Sequence, residues 1–557
     1  MAKTANSADS PETQPVHGFA RLIRLFRPSH QHSAFSATLL LMTAVMLSRV
    51  IGYVREAYIA YAFGAGPATD AYVAGFTIPD WLNYLVAGGT ASITFVSIYT
   101  RFLAADKEEE AQKTFSVIIT VMTAVLGVGV LLTEFFTPEI SRHLFPKFSA
   151  EQLELCVHLT RILLPAQIFF YVGGVVSAVL LSRRLFLFPA FSPLLYNAAI
   201  IIGGILLSHR FGISSLAYGA LAGSFLGPFL INAIGAARIG TGYSVSFDVR
   251  NPAFREWVKL SIPLMLGVSL VTADDWILRY FASGAVGDIT RLNYAKRLFA
   301  VPIAVLGQAT SQASLPFFAK LFGEKRMREF ADTVNGSIYR IVATSLLATS
   351  FMMAAALPLI DLVYRRGHFQ FSDSQETALY FFWFALSLCF WSAQGLYSRA
   401  FYAAGNTLVP MVATSLITLA SIPMYSALFH RFSTVGLAMA SDLGIVANTF
   451  ALAFLLHRRQ LIRINELNWA EIAKAGFTSV VAGLLSYEVA RVLLVNNSRL
   501  ADFKALGLIT LTWAGAVAAG LWLTRSSLVG DLRRRKPTSY PRVAETQAED
   551  LSKGVEP

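Results

Sequence analysis

Cysteine is nearly absent from the 557 residues: Cys156 and Cys389 are the whole complement. Both sit in apolar stretches, so neither a disulfide framework nor a cysteine metal site is expected, and the thiols read as inert packing groups. Charge is scarce too. Only 14% of the residues are Asp, Glu, Lys or Arg, against roughly 25% in an ordinary soluble domain, which excludes a water-facing surface over most of the chain. Also missing are a Gly-Lys-Ser/Thr phosphate loop, a His-Glu-x-x-His zinc pair and a Gly-x-Ser-x-Gly nucleophile elbow. ATP hydrolysis by this chain is therefore not expected, no metal or cofactor is implied, and the chain does not read as an enzyme. Any work it does would draw on an ion gradient, the membrane potential or the gradient of its own substrate.

What is abundant is apolar. Hydrophobic residues make up 55% and aromatics 13%, with 42 Phe, and mean hydropathy is +0.54, which is the composition of a polytopic membrane protein. The 46 basic residues exceed the 34 acidic ones, for a net charge of +12. They are scattered between apolar runs, the pattern of loops facing an anionic membrane leaflet. Membrane lipids are thus expected neighbours and nucleic acid is not.

A bilayer core takes about 20 apolar helical residues, and fourteen runs of that kind lie near 36–62, 70–100, 114–136, 156–182, 187–208, 213–237, 256–281, 289–318, 336–362, 377–403, 408–430, 434–457, 472–494 and 503–524. Before them, residues 18–27 alternate Arg21, Arg24 and Arg27 with Leu22, Ile23, Leu25 and Phe26, which favours a basic helix lying on a membrane surface. No cleavable signal is expected, because the N-terminus is polar. Connections near 101–113, 183–184, 250–255, 320–328 and 458–463 are rich in Lys and Arg, whereas the turns at 63–69 and 282–287 are nearly uncharged. Arg365-Arg366 and Arg431 break the pattern, but the balance places both termini in the cytoplasm.

The sequence also repeats. Shifted by 218 residues, Glu56 falls on Asp274, Phe63 on Phe281, Gly66 on Gly284, Asp70 on Asp288, Gly89 on Gly307 and Ala91 on Ala309, and Pro189 and Pro410 stand 221 apart. The expected fold is therefore all-α, with two pseudo-symmetric six-helix lobes and two C-terminal helices. The expected division is a tail with its interfacial helix (1–35), an N-lobe (36–240), a C-lobe (241–460), the last two spans (461–525) and a disordered tail (526–557). A substrate site is expected between the lobes near the midplane.

Charges inside spans are the candidates for function, because each costs about 2.5 to 3.5 kcal/mol at a helix centre. The first span holds Arg49, Gly52, Arg55 and Glu56. At about 100° per residue, Arg49, Gly52 and Glu56 share a face and Arg55 is displaced from it. The eighth holds Arg291, Tyr294, Lys296 and Arg297, with acid available from Asp274, Asp275 and Asp288. Each set fits either a structural ion network or a site for an anion. Arg suits a phosphate because its planar fork makes paired hydrogen bonds and keeps its charge. In the second span Pro79, Gly88 and Gly89 point to a broken helix lining a cavity, or to close helix packing. Asp70 and Asp288, at span entrances, fit helix capping or ligand binding.

Ser48-Arg-Val-Ile-Gly-Tyr-Val-Arg-Glu56, Phe63-Gly-Ala-Gly, Thr69-Asp-Ala71 and Gly89-Thr-Ala-Ser92 resemble the N-terminal signature of bacterial lipid II flippases, the MurJ/MviN family. Further similarity follows in order: Phe188-Pro-Ala-Phe-Ser-Pro193 with Asn197, Tyr294-Ala-Lys-Arg-Leu298 with Pro302, Arg366-Gly-His-Phe369, and Phe401 to Pro410. The resemblance implies the multidrug/oligosaccharidyl-lipid/polysaccharide exporter fold, with the last two helices forming a groove for a lipid tail. It implies lipid II as substrate, an undecaprenyl-diphosphate-linked disaccharide-pentapeptide carried to the periplasmic leaflet of the inner membrane for peptidoglycan synthesis, with cell-wall synthesis machinery nearby.

The family's cavity arginines map onto Arg49, Arg55 and Arg297, and its acidic neighbour onto Glu56. Where the family has Pro-Asn-Leu-Leu-Arg-Arg and then Glu-Gly-Ala, this chain has Pro79-Asp-Trp-Leu-Asn83-Tyr84 and then Gly88-Gly-Thr90. One expected Arg is therefore Asn83 and the expected Glu is Gly88. Arg49, Arg55, Glu56, Asn83 and Arg297 form the expected binding set, with Asp70, Gly52, Lys296 and Arg291 behind them. Export of another polyprenyl-linked oligosaccharide or an amphiphile stays open as the alternative.

Overall fold

The structure, a computed structural model, describes residues 34–84, 89–271, 273–493 and 499–533. The basic segment at 18–27, Gly88 and the tail beyond 533 lie outside the described residues. Among the described residues there is helix and no strand. Eight helices among the described residues are long and apolar enough to cross a membrane, or nine if the bent pair Phe371–Leu386 and Leu388–Ala403 is one span. Helix also covers most of the described part of each expected window, with informative interruptions. The chain is an all-α, multi-pass membrane protein.

The second window is broken into Pro67–Gly75, Thr77–Leu82 and Gly89–Ala104. Pro79 sits in the first turn of its short helix, where its missing N–H costs nothing. The windows at 408–430 and 434–457 are two helices within Leu408–Arg458, separated where Ser433 takes a non-helical φ of 53° and ψ of −141°. Phe225–Ile231, which contains Pro228, and Ile303–Gln308, which follows Pro302, are π-helical. Proline removes a backbone donor, and the wider turn accommodates its ring.

The chain packs as two compact units: Met1–Tyr294 with Val363–Glu376 and Ile422–Leu437, and Ala295–Leu362 with Thr377–Ser421 and Ala438–Pro557. In the first, Phe95, Tyr99, Phe115, Tyr171 and Trp257 fill a core lined by aliphatic side chains. Lipid is as apolar as that core, so close packing rather than water exclusion must hold the helices together. Gly173 shows how close: a Cβ there would stand 2.1 Å from the Pro228 carbonyl oxygen.

The two ends of this unit are built from different connections. At one end Arg101 pairs with Glu256 at 2.6 Å and Arg183 pairs with Glu108, which gathers the basic connections at 101–113, 183–184 and 250–255. The acids Glu108, Glu109 and Glu110 are all in exposed ion pairs there. At the other end the turns at 63–69 and 282–287 meet, and the His368 N–H donates to the Tyr61 carbonyl at 3.0 Å.

In the second unit, Phe318, Phe330, Leu396, Phe401 and Leu452 are core residues. The last two long helices, Trp469–Leu493 and Arg499–Leu523, pack together against Met327–Ala354. Trp513 Nε1 donates to Ser350 Oγ at 3.0 Å and anchors the outer one. Phe477, Val480, Leu484, Leu511, Trp522 and Leu523 remain uncovered. Residues 526–533, expected within a disordered tail, are held: Glu471 accepts from Ser526 Oγ and Ser527 N, Leu528 is buried, and Leu528–Arg533 is a short helix. Ser526 and Ser527 give no sign in sequence of a carboxylate partner 55 residues back from Ser526.

Candidate functional site

The first charged cluster stands on Ala34–Phe63. Glu56 is buried, Arg55 and Gly52 are half-buried and Arg49 is exposed. Arg55 Nη2 meets Glu56 Oε1 at 2.5 Å, and its Nη1 donates to Asn197 Oδ1 at 2.9 Å. Asn197 is held in turn by its own helix, donating to the Pro193 carbonyl at 3.0 Å. One carboxylate and one neutral amide thus engage the guanidinium, and its buried Nε has no hydrogen-bond acceptor. A guanidinium has five N–H donors in a fixed fork, so capacity for an anion remains. Gly52 leaves open space on its side of the helix. Among the described residues Arg49 takes part in no ion pair.

The second cluster surrounds the break in the second window. Asn83 follows the short helix Thr77–Leu82 and donates from Nδ2 to Gln167 Oε1 at 2.8 Å. This neutral pair occupies the place expected to carry an Arg. It walls a cavity of about 210 Å³ that is also lined by Asp80, Phe76, Phe170 and Tyr196. Tyr196 is the chain neighbour of Asn197, so the cavity and the Arg55 cluster share a wall on the helix Leu187–Phe211. Gln167 was not singled out in sequence, although a lone polar residue soon after Pro165 in an apolar run was a signal.

The third cluster joins the two repeats. Asp70 accepts from Thr290 N at 2.9 Å, from Thr290 Oγ1 at 2.7 Å and from Gly287 N. Its carboxylate therefore caps the start of the helix Asp288–Pro302, satisfying donors that a helix N-terminus leaves open. Gly287 makes that turn at a φ of +85°, where a Cβ would stand 2.9 Å from the Ala65 carbonyl oxygen. Asp288, the repeat partner of Asp70, accepts from Thr434 Oγ1 and from Arg291.

Arg291 is fully engaged. It meets Asp288 at 3.0 Å, Asp373 at 2.7 Å and Glu376 at 2.6 Å. Asp288 was among the acids expected to neutralise this span. Asp274 instead accepts from Tyr425 Oη, and the other two acids come from a segment 82 residues or more away. Lys296 is half-buried with its ammonium 5.8 Å from the centre of the Phe384 ring, and Arg297 is exposed. These last two belong to the second compact unit, Arg49 and Arg55 to the first.

Residues 59–501 match the family described as lipid II flippase MurJ. A lipid II flippase MurJ of Burkholderia cenocepacia is 25% identical over 474 residues, which is 81% of this chain and 90% of that one. A probable lipid II flippase MurJ of Rickettsia prowazekii is 25% identical over 414 residues, 73% of this chain and 81% of the other. Among solved structures, a lipid II flippase MurJ in an inward closed conformation is similar at a TM-score of 0.73 and 22% identity, covering 87% of this chain and 99% of that one. A multidrug resistance transporter of the MATE family in the MOP superfamily is similar at 0.62 and 16% identity, covering 76% and 98%. The two structural likenesses establish the fold.

Proposed function

Because the chain belongs to the lipid II flippase MurJ family, we propose that it carries lipid II from the cytoplasmic to the periplasmic leaflet of a bacterial inner membrane, both termini cytoplasmic. The diphosphate is the part that lipid rejects most strongly, since an isolated charge in hydrocarbon is prohibitive unless it is paired. On the first compact unit Arg55 takes it, with Arg49 on the same helix, and Arg297 is the second unit's own candidate for an anion. Glu56 and Asn197 hold Arg55 ready, Gly52 leaves room beside it, and the polyprenyl tail stays in lipid along the uncovered face of the last two helices. Lobes at 36–240 and 241–460 move against each other to change access. Lys296 supports Arg297, while Asp70 and Arg291 brace the turn and helix start that the motion uses. Peptidoglycan synthesis consumes the product, so the cell-wall machinery is the expected neighbour.

One observation carries the residue assignment: Arg55 is a desolvated guanidinium matched by a single carboxylate and left with donors to spare. A host depleted of its own lipid II flippase tests the reading. This chain is expected to restore growth and periplasmic access to lipid II, and export of a different polyprenyl-linked oligosaccharide without rescue would refute it.

A further inference from the structure

The cavity at Asn83 has a lining that does not suit a diphosphate. Among the described residues its lining has one carboxyl, Asp80, and no cationic side chain, so it offers a diphosphate no counter-charge. What the walls offer is a planar amide pair, a carboxylate edge and the rings of Phe76, Phe170 and Tyr196. After its bond to Gln167, Asn83 keeps its Oδ1 acceptor and a second amide N–H. Amide and carboxylate groups exchange paired hydrogen bonds with neighbouring hydroxyls, and aromatic faces cover the C–H face of a ring.

Size and position narrow the occupant further. The cavity of about 210 Å³ has room for a pyranose ring. The cavity wall at Tyr196 adjoins Asn197, which holds Arg55. In lipid II the first sugar is bonded directly to the diphosphate, so a diphosphate on Arg55 delivers that sugar to this neighbourhood.

The geometry points to a sugar subsite in which Asn83 and Gln167, backed by Asp80 and the aromatic walls, take the phosphate-linked pyranose of the substrate. This rests on the flippase reading and adds to it: the position where the family carries an Arg reads sugar in this chain instead of charge.

The test measures binding of the purified full-length protein in lipid nanodiscs to two lipids, undecaprenyl diphosphate and the same lipid carrying the disaccharide without peptide. The wild-type protein is expected to bind the sugar-bearing lipid roughly tenfold more tightly, the scale of one or two hydrogen bonds. Gln167→Ala should bring that ratio close to one while binding undecaprenyl diphosphate as well as wild type, which also shows that it folds, and Asn83→Ala should lower the ratio in the same direction. A ratio that survives both substitutions overturns the subsite. So does loss of affinity for both lipids together, which would mark the pair as structural. If the wild-type protein binds neither lipid, it is the flippase reading that fails.

Discussion

Arg55 and Arg291 stand on different helices in the first compact unit with the same side-chain exposure, 14%, yet they are built for opposite ends. Arg291 faces Asp288, Asp373 and Glu376, so its surroundings carry more negative charge than it can neutralise. An incoming anion would be repelled there. Arg55 faces Glu56 and a neutral amide, and its Nε has no acceptor. Burial of a charge inside a span does not by itself mark function. The count of opposing charges around it separates a clamp from a ligand group.

Substitutions should pull the two apart. The largest effect is expected from Arg55→Gln made together with Glu56→Gln, which keeps the site neutral. Losing two charge-assisted hydrogen bonds at about 1.5 to 3 kcal/mol each should slow flipping by about a hundredfold or more, with normal amounts of protein in the membrane. Near-normal flipping in reconstituted vesicles would remove Arg55 from the mechanism. Arg55→Lys should recover little, since an ammonium lacks the planar fork.

Arg291→Ala should do the reverse. Breaking a buried pair costs about 3 to 5 kcal/mol, so thermal unfolding in detergent should come much earlier, while each folded molecule keeps its affinity for undecaprenyl diphosphate. An unchanged melting temperature would show that the three acids are not a clamp. Next is Asp70→Asn, which keeps the shape but weakens the bonds to Gly287 and Thr290; about 1 to 3 kcal/mol is expected, read as protease sensitivity at the 282–287 turn. The smallest effect belongs to Arg101→Ala. Its partner Glu256 is exposed like Arg101 itself, and such pairs contribute little, so a large fall in melting temperature there would contradict the contrast between buried and surface ion pairs.

Sequence reasoning reached these sites unevenly, for a physical reason. Charges in apolar runs are visible one by one, which is why Arg49, Arg55, Glu56 and Arg291 stood out. Their partners are not. Asn197 lies 142 residues from Arg55, Gln167 lies 84 from Asn83 and Asp373 lies 82 from Arg291, and no local periodicity encodes such pairings. The repeat placed Asp70 opposite Asp288, but their capping contacts depend on how turns meet in space. The break at Ser433, by contrast, falls in the gap between two expected spans, because His430, Arg431, Ser433 and Thr434 interrupt the apolar run there.

The most direct test of the central claim is a binding titration of undecaprenyl diphosphate, free of sugars and peptide, against the wild-type protein, the Arg55→Gln/Glu56→Gln variant and Arg291→Ala. The account predicts strong weakening in the first variant and near wild-type affinity in the second. Equal affinities in all three, or loss confined to Arg291→Ala, would contradict it.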